Sequence, residues 1–596
     1  MHLKNIFLQR LGTISACFLL SIISFNQLFA QGSWIPVTNL SPNKNYGVML
    51  LLTDGRVLAK TDWDMAHSFS CNCNGDPGDT WDMLTPDIHG SYVNGTWTTI
   101  APMADTRVYF ASQVLRDGRV YVAGGEYGNG GSKAEIYDPV TGLWTAAHVV
   151  PGDTIFDGSS QLLPDGRVLQ ALSYRYADRT CIYDPITNNF SPGPSVIGMH
   201  SESAWLLLKD NSILFADRSY GTVNPSAERY IPALNNWNVD AIPPQTLYDW
   251  GAGETGSAQL LPDGRGVFFG GSGNTLYYTP SGSPSPGSWS IAPHMPSGLG
   301  APDGPTATMV NGKILCSLSD TNTATSWFRS PTYFYEFDYL AGTWTKISAP
   351  VGGDTLSGPC ADNTMLTLPD GNVLFANRGF EQYYIYKPSG TPLAAGKPTV
   401  DNIIKITCTK YMAVGKLFNG ISQGANYNDE WQNPTNYPLV RLTKGTNVYY
   451  ARTYNWNSTG VMRGTAADTT YFDLPSGLPV GTYQLEVVVN GNLSVSRLFF
   501  TCGAAEVPTV SNVNSGIGIA PNPTKSSTSL VFHANYAGQY TVILTDITGR
   551  KLLQETGFSV EGENTFILHT DGIPSGVYMV SVSMFDGVVN GKILVD

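Results

Sequence analysis

Charged residues are scarce in this sequence, and acidic residues outnumber basic ones. Only 14% of the residues are Asp, Glu, Lys or Arg, and an excess of acids gives a net charge of −13 at pH 7. A nucleic-acid backbone would need a basic patch, and the sequence offers none. The composition therefore excludes nucleic acid as a partner.

Helical periodicity is also missing, because no long stretch places apolar residues at helical spacing. Glycine is frequent, with 63 residues, and aromatic residues make up 11% of the chain. This composition favours short strands and tight turns. At 596 residues the chain is too long for one core, so we expect about three all-β domains.

Long apolar runs are absent except at the N-terminus. There, Lys4 and Arg10 precede an apolar run from Leu11 to Ala30, which ends in a small residue. This pattern predicts a signal peptide over residues 1–30. A membrane anchor is the alternative. The apolar residues that continue after Cys17 argue against a lipoprotein cleavage site. Once the signal is removed, no stretch is suited to span a bilayer.

Cysteine is sparse, and seven of the eight cysteines lie after the expected signal peptide. Export would bring them into an oxidising compartment, where disulfides can form. Cys408 and Cys502 flank one expected domain and are the favoured disulfide pair. Cys71 and Cys73 lack the second pair that a zinc site needs. The other three lie in or beside expected strands as buried thiols: Cys181, Cys316 and Cys360. A bond between the last two is the alternative.

A repeated turn organises most of the chain. Asp-Gly-Arg or a variant of it stands between two apolar segments, which predicts a hairpin because glycine adopts the positive φ of the turn. The seven turns begin at Asp54, Asp117, Asp165, Asp210, Asp263, Asn311 and Asp370. They are 45 to 63 residues apart, which is the length of one supersecondary unit each.

Each repeat closes on an aromatic residue after a Tyr-Asp-Pro-like segment. These aromatics are Trp97, Trp144, Phe190, Trp237, Trp289 and Trp344. Four strands and a closing aromatic describe a blade of a kelch-type β-propeller. The seventh repeat has no such tryptophan, so we expect an N-terminal strand with Trp34 to complete the last blade. The alternative is that Trp34 begins an extra strand.

The repeat ends near residue 393. We therefore expect an all-β chain, with a seven-bladed kelch-type β-propeller over residues 31–393 followed by two immunoglobulin-like β-sandwich domains. The first sandwich covers residues 397–502, where strands alternate without the repeat. A linker over residues 503–515 leads to the second, over residues 516–596.

Residues 31–502 resemble the galactose oxidase and kelch superfamily. The most specific stretch is Arg107-Val108-Tyr109, then Asp117-Gly118-Arg119, then Gly124-Gly125. The resemblance implies a propeller followed by an immunoglobulin-like domain.

The last segment, residues 516–596, resembles the C-terminal sorting domain of the type IX secretion system. The matching stretches are residues 520–523, 546–550, 572–578 and 591–595. This resemblance implies a Gram-negative bacterium of the Bacteroidetes type. It also implies that the type IX machinery exports the chain, either to the outside or to the outer cell surface.

The first resemblance also implies a copper ion at the propeller mouth, held by two tyrosines and two histidines, with one tyrosine cross-linked to a cysteine. Tyr109 matches the radical tyrosine, and Tyr127 replaces the tryptophan that stacks on it. Tyr46 aligns with the cross-linking cysteine, and Asp362 lies where a Tyr-His pair is expected. Residues 401–502 contain no histidine for the remaining ligand. A redox copper site needs imidazole nitrogens, so the sequence argues against copper.

Carboxylates take the place of those ligands. The innermost strand of each blade is expected to begin eight residues before the turn, with side chains that face the mouth. These positions hold Tyr46, Tyr109, Asp157, Glu202, Thr255, Asp303 and Asp362, and Glu254 adds a fifth acid one residue away. Neighbouring carboxylates repel each other unless they are compensated. Ca²⁺ held by the four acids of this set would compensate them, as would the hydroxyl groups of a sugar.

Other residues leave further alternatives open. The acids would also be satisfied by backbone amides of the mouth loops or by Arg107 as an internal counter-charge. His200 is either an acid–base group or a packed loop residue. The loop of residues 72–79 is either a Ca²⁺ loop or a plain insertion, and within residues 449–456 Tyr454 or Trp456 either reaches the mouth or packs in a core.

Two functions follow as hypotheses. The first is a secreted or surface-displayed binding protein for carbohydrate, with Tyr46, Arg107, Tyr109, Tyr127 and the mouth acids as ligand-binding residues. The second is a polysaccharide-active hydrolase or lyase, with catalytic candidates Tyr109, His200, Glu202 and Glu254. A divergent copper oxidase is a third and weaker hypothesis.

Overall fold

The computed structural model describes residues 31–61, 77–150, 154–156, 158–172, 178–198, 200, 202–216, 227–422, 425–426, 432–502, 517–584 and 587–596. In this part of the chain the regular structure is β-strand, with two short 3₁₀ turns at Cys360–Asp362 and Ala394–Gly396 and no α-helix. The all-β prediction is confirmed. The described residues form two compact units, one within residues 1–502 and the other within residues 503–596.

The first unit begins with strand β1 (Ser33–Pro36). The first sheet holds β2 (Asn45–Leu51), β3 (Val57–Thr61), β4 (Trp81–Thr85) and β5 (Thr96–Thr99). The second region contains β6 (Arg107–Val108), β7 (Ala111–Val114), β8 (Val120–Ala123), β9 (Tyr127–Gly128), β10 (Ala134–Asp138) and β11 (Leu143–Ala146). Strands β7, β8, β10 and β11 form its sheet, and β6 pairs with β9 as a separate ribbon.

Three regular sheets follow. The third holds β12 (Ser160–Leu162), β13 (Val168–Leu172), β14 (Arg179–Asp184) and β15 (Asn189–Pro192). The fourth holds β16 (Leu206–Leu207), β17 (Ile213–Ala216), β18 (Ala227–Ile231) and β19 (Asn236–Val239). The fifth holds β20 (Ala258–Leu260), β21 (Gly266–Phe269), β22 (Thr275–Thr279) and β23 (Ser288–Ile291).

The last two repeats complete the set. The sixth holds β24 (Leu299–Gly300), β25 (Thr306–Thr308), β26 (Ile314–Asp320), β27 (Thr332–Asp338) and β28 (Thr343–Ile347). The seventh holds β29 (Asn363–Thr367), β30 (Val373–Asn377) and β31 (Tyr383–Lys387), with β1 as its outermost strand. Each of the seven sequence repeats thus corresponds to one antiparallel sheet, and β2 of the first sheet lies beside β29 of the last.

The repeated turns share one local structure. The side-chain oxygen of the first residue accepts the N–H two residues later, at 2.9–3.2 Å in all seven turns. Six turns have glycine in the middle with φ between 81° and 89°, which a residue without Cβ adopts at little cost. Where Arg is the third residue, it also pairs with the Asp at 2.6–2.7 Å. These turns join the first and second strands of each sheet, and we call this side of the propeller the turn end.

The closing aromatics occupy equivalent positions on the outermost strands. Trp144 pairs with Tyr137 and Trp97 with Leu84, and the indole N–H of each donates to a carbonyl of the preceding repeat. Trp34 does the same for the seventh sheet, where it lies opposite Tyr386 and donates to the Ser348 oxygen at 2.8 Å. The expectation that an N-terminal strand completes the last sheet is therefore confirmed.

A second β-region follows within the first unit. Its strands are β32 (Thr399–Lys405), β33 (Lys410–Lys416), β34 (Ala425–Asn426), β35 (Gln432–Asn433), β36 (Leu439–Lys444), β37 (Asn447–Tyr454), β38 (Asp468–Asp473), β39 (Thr482–Val489), β40 (Asn492–Leu493) and β41 (Arg497–Phe500). This region packs on the turn end, where the Tyr450 ring lies over Gly55 and the Trp456 oxygen accepts from Arg116. The immunoglobulin-like assignment of residues 397–502 stays a prediction.

One hairpin of this region enters the propeller. Strand β34 pairs with β25, which places it against the innermost strand of the sixth sheet. Strands β34 and β35 also lie close to the innermost strands β2, β7, β20 and β29. The hairpin therefore runs among the inner strands of five sheets, and residues 427–431 between its strands lie outside the described part.

The cysteines follow the favoured pairing. Cys408 and Cys502 form a disulfide that joins the two ends of the second β-region, with Cα atoms 5.3 Å apart. Cys316 and Cys360 are both free and buried, so the alternative bond between them is wrong. Cys360 instead donates its thiol to the Pro302 oxygen at 3.2 Å, and burial raises its pKa to about 12. Cys71 and Cys73 lie outside the described residues.

The second unit is a small two-sheet structure. Its strands are β42 (Gly518–Ala520), β43 (Ser527–Ala534), β44 (Gly538–Asp546), β45 (Lys551–Ser559), β46 (Gly562–His569), β47 (Gly576–Met584) and β48 (Gly587–Val595). One sheet has the order β42-β43-β46 and the other β45-β44-β47-β48. Their facing apolar side chains, such as Leu530, Val542 and Val580, form one buried core.

Candidate functional site

The predicted site residues collect at the side of the propeller opposite the turns. In a four-stranded antiparallel sheet, the loop before the first strand and the loop between the second and third strands lie at the same end. Tyr109, Glu202, Thr255, Asp303 and Asp362 all lie just before first strands of their sheets. We call this side, formed by those two sets of loops, the mouth end.

At the mouth end left-handed backbone falls on tyrosine, glutamate and aspartate, whereas at the turn end it falls on glycine and asparagine, which adopt it more readily. Tyr109, Glu202 and Asp303 have φ of 52°, 54° and 49°, in the left-handed region that residues with a Cβ rarely adopt. Each such residue costs about 1–2 kcal/mol relative to ordinary backbone. Left-handed residues of this kind collect at functional sites, where the surrounding structure holds them in place. Three equivalent positions in different sheets therefore share an unusual conformation.

Tyr109 is fixed by two neighbours. Its hydroxyl accepts a hydrogen bond from the Arg378 guanidinium, whose central carbon lies 5.0 Å from the Tyr109 ring centroid. The ring of Tyr127 meets it edge to face, with centroids 6.1 Å apart and planes at 64°. Tyr127 thus contacts Tyr109, in an edge-to-face arrangement rather than the stacking that the resemblance implies.

Arg378 ties the seventh sheet to the second. It follows strand β30 of the seventh sheet and reaches Tyr109 in the second. Its guanidinium also donates to the Ala361 oxygen at 3.2 Å and lies 3.9 Å from the Asp362 carboxylate. Burial raises the pKa of Asp362, and the charge of Arg378 opposes that rise. Arg378 is therefore a buried cation at the mouth, in contact with two of the predicted residues.

Arg107 has a different place from the one expected. Its guanidinium is fully buried, pairs with Glu135 at 2.6 Å and donates to the Gly124 oxygen at 2.8 Å. Burial lowers its pKa, and the Glu135 charge opposes this. Arg107 therefore neutralises an acid of its own repeat, and Arg378 is the counter-charge that the structure places beside Asp362.

Glu126 brings another carboxyl group to the mouth end. It follows strand β8, and its N–H donates to the Val108 and Tyr109 oxygens, both at 3.1 Å. The pKa of Glu126 is raised to about 7, chiefly by burial and also by the charge of Glu202, while a hydrogen bond with Tyr127 opposes the rise. Glu126 and Glu202 therefore act on each other electrostatically, although they belong to different sheets.

The other predicted acids are joined through backbone bonds. The Asp303 N–H donates to the Thr255 oxygen at 2.9 Å, and the Thr255 hydroxyl donates to the Glu202 oxygen at 3.0 Å. Asp303 is only 6% exposed. Glu254 precedes Thr255 in the same loop, so the loops of the fourth, fifth and sixth sheets form one connected rim.

His200 is a packed residue. It is buried against the rings of Trp205 and Phe215, and its Nε2 lies 3.0 Å from the Leu172 oxygen. Burial lowers its pKa to about 4, so it stays neutral at neutral pH. This favours the packing alternative over an acid–base role for His200.

A cation site is not assembled by the described acids. No three His, Cys, Asp or Glu side chains among the described residues come together where a metal ion could be held. Glu202, Asp303 and Asp362 therefore do not form a Ca²⁺ site between them. Asp157, the Tyr46 side chain and residues 72–76 lie outside the described part, so their predicted roles stay predictions.

Tyr454 and Trp456 do not reach the mouth. Both lie in the second β-region on the turn end, where the Tyr454 hydroxyl donates to Asp473 and Trp456 is buried against Tyr437. The alternative in which either residue reaches the mouth is therefore wrong. The segment that enters the propeller is the hairpin β34–β35, which the aromatic pattern does not mark.

Two residues of the mouth were missed in the sequence. Arg378 and Glu126 lie in loops between second and third strands, eight and nine residues after the turn aspartates Asp370 and Asp117. Counting back from each turn samples only the loops before first strands. Counting forward by eight or nine residues from each turn would have found both residues.

Comparison with known proteins identifies two segments. Residues 109–147 match the Kelch motif, and residues 518–596 match the secretion system C-terminal sorting domain. No curated protein matches the sequence. The sorting domain directs the chain to the cell surface or outside through type IX secretion. In the described part of the chain, no helix has the length and apolar character needed to cross a membrane.

A solved structure with a similar arrangement is titled a novel fungal alcohol oxidase with catalytic diversity among the AA5 family, in complex with copper. The two chains share 14% identity, with a TM-score of 0.49. The similarity covers 79% of this chain and 99% of the other.

Proposed function

We propose that this protein binds carbohydrate at the mouth end of its propeller, as a secreted or surface-displayed protein of a Bacteroidetes-type bacterium. The contact of Arg378 with both Tyr109 and Asp362 carries the proposal. It combines an aromatic face, a buried cation and a carboxylate in one place. These are the groups that hold a sugar ring and its hydroxyls.

The same contact argues against a copper-radical centre. Copper prefers imidazole nitrogens, and His200, the histidine considered near the mouth, is buried with its Nε2 against a backbone oxygen. Tyr109 is the residue that resembles a radical tyrosine, and its hydroxyl accepts from the Arg378 guanidinium. A cation placed there opposes the binding of a second cation. The residues of this mouth do not fit copper.

The charge of the mouth favours a neutral sugar over an acidic one. Glu202, Asp303 and Asp362 lie at mouth positions with Glu126 and Glu254 beside them, whereas Arg378 already contacts Asp362. Carboxylates accept hydrogen bonds from hydroxyl groups and repel anions. We therefore expect neutral oligosaccharides to bind more tightly than those that contain uronic acids.

The test uses the full mature chain on an array of neutral and uronic-acid oligosaccharides, followed by calorimetry. The variants Asp362→Asn and Tyr109→Phe should weaken binding roughly tenfold, because each loses a hydrogen-bonding group in a half-buried site. Asp263→Asn at the turn end is the matched control and should bind as the parent does. Absence of binding to every sugar, or equal binding by all variants, would refute the proposal.

Glycoside cleavage is the second candidate, and one observation favours it. Glu126 has a pKa of about 7 beside the Glu202 carboxylate, and a hydrolase needs one protonated and one ionised carboxyl group. Release of reducing ends from a polysaccharide, with loss in both Glu126→Gln and Glu202→Gln, would establish it. Unchanged release in either variant would remove that residue from the reaction.

A further inference from the structure

A loop on the rim of the mouth is held rigid by one buried carboxylate. The Asp249 side chain accepts the backbone N–H groups of residues 251–254, with distances of 2.6, 2.8 and 3.3 Å to Oδ1 and 3.1 Å to Oδ2. The Asp249 N–H closes the loop on the Glu254 oxygen at 3.0 Å. A buried carboxylate that accepts this many N–H groups fixes the loop in one conformation.

A neighbouring loop is tied to it by Asn322. The Asn322 amide donates to Asp249 Oδ2 at 3.1 Å, and its oxygen accepts the Phe328 N–H at 2.7 Å. Phe328 has φ of 45°, which is strained for a bulky residue. Asp249 and Asn322 are 7% and 6% exposed. The two loops, between β19 and β20 and between β26 and β27, therefore share one buried polar network.

This network presents two tryptophans to solvent. Trp250 is 89% exposed and Trp327 is 58% exposed. A Cβ at Gly251 would lie 2.8 Å from Cδ1 of Trp327, so the chain beside Trp250 packs directly against the second ring. Exposed indoles contribute little to folding, yet buried polar groups and a strained backbone hold them in place.

The tryptophans are continuous with the mouth. The loop that carries Trp250 runs on to Glu254 and Thr255, and Thr255 bonds to the backbones of Glu202 and Asp303. A polymeric ligand that has one end in the mouth and extends over the fifth and sixth sheets would therefore contact these two rings.

We infer that Trp250 and Trp327 form a stacking subsite for a neutral hexose chain whose end lies in the mouth, and this inference rests on the proposed function. An indole face packs against the C–H groups of a sugar ring, and a preformed loop avoids the entropy cost of ordering it. The acids of the adjoining mouth argue for a neutral glycan. The ligand is therefore an oligosaccharide or polysaccharide rather than a single sugar.

The experiment compares affinity with chain length. Calorimetry of the full mature chain uses neutral hexose oligosaccharides of one to six units, in α-linked and β-linked series. Affinity should rise with length, and Trp250→Ala and Trp327→Ala should each weaken the longest ligand roughly three- to tenfold while leaving the monosaccharide unchanged. Leu340→Ala is the control, since Leu340 is 74% exposed in the sixth sheet and lies at the turn end.

The outcomes separate this inference from the proposed function. Mouth-dependent binding that does not change with length, or tryptophan variants that weaken monosaccharide and hexasaccharide equally, would overturn the subsite and leave the proposed function intact. A parent chain that binds no sugar would overturn both. Light scattering that shows a dimer lost in Trp250→Ala would assign the rings to a second copy of the chain and refute the inference.

Discussion

At the turn end of the propeller the seven repeats carry nearly the same side chains, whereas at the mouth end they carry different ones. Each turn has Asp or Asn as its first residue and six have glycine as the second. The equivalent mouth positions hold tyrosine, aspartate, glutamate and threonine. Side chains that recur serve the folding of every sheet, and side chains that differ are free to build one asymmetric site.

The backbone follows the same division. Six of the seven turns have glycine at the left-handed position and the fourth has Asn211, whereas at the mouth end Tyr109, Glu202 and Asp303 adopt that conformation. Such strain persists only where the surrounding structure holds it, and here the sheets and the turn end do so. The turn end therefore stabilises the fold, whereas the mouth end contains backbone that lowers its stability.

The largest expected effect is at the turn end. In Gly55→Ala the new Cβ would lie 2.6 Å from the Tyr450 ring of the second β-region, on backbone with φ of 81°. We expect the free energy of unfolding to fall by about 2–4 kcal/mol, from left-handed strain together with overpacking. Urea unfolding followed by tryptophan fluorescence measures it.

The control for that change is Gly142→Ala. Gly142 has φ of 72°, and a Cβ added there would have no other atom within 4 Å, so only backbone strain remains. A loss of about 1 kcal/mol is expected. Equal losses in the two variants would show that contact with the second β-region contributes nothing at Gly55.

The fold was predictable because its determinants are local and repeated. The turn residues and closing aromatics act through neighbours in sequence or one sheet away, so spacing alone locates each sheet. Even the long-range closure by Trp34 was readable, because the seventh repeat lacks the partner that the other six possess. The hairpin β34–β35 was not, because its position depends on contacts with five sheets rather than on its own pattern.

The site was predictable only in part. Counting from the turns gives which residues lie at the mouth end, since the strands have fixed lengths. Counting does not predict which charged side chains of different sheets contact each other. The sequence does not distinguish the surroundings of Arg107 from those of Arg378, but Glu135 neutralises Arg107 within its own repeat, whereas Arg378 reaches Tyr109 of another repeat. Pairing across a ring depends on three-dimensional distances that no single repeat contains.

Arg378→Met should destabilise the chain less than Gly55→Ala does, but it should also weaken sugar binding. It leaves the half-buried Asp362 without its cation, so the pKa of Asp362 should rise further and the free energy of unfolding should fall by about 1–3 kcal/mol. Sugar affinity should fall roughly tenfold, as Tyr109 loses its donor. The double variant Arg378→Met with Asp362→Asn should recover stability without affinity. If affinity returns as well, Arg378 only balances charge.

The smallest effect concerns Glu126 and is visible only as a pH dependence. The pKa of Glu126 is about 7 in the folded chain against an ordinary value of 4.5, so the folded state keeps a proton that the unfolded state releases in this window. Stability therefore falls as pH rises from 4.5 to 7. Glu126→Gln removes the titration, so its advantage over the parent should grow with pH to on the order of 1 kcal/mol at pH 8. Melting curves at pH 5 and pH 8 measure the difference. If the stability difference between Glu126→Gln and the parent were the same at both pH values, Glu126 would be ionised throughout this range. The carboxylates of the mouth end would then not repel each other, and this contrast with the turn end would be lost.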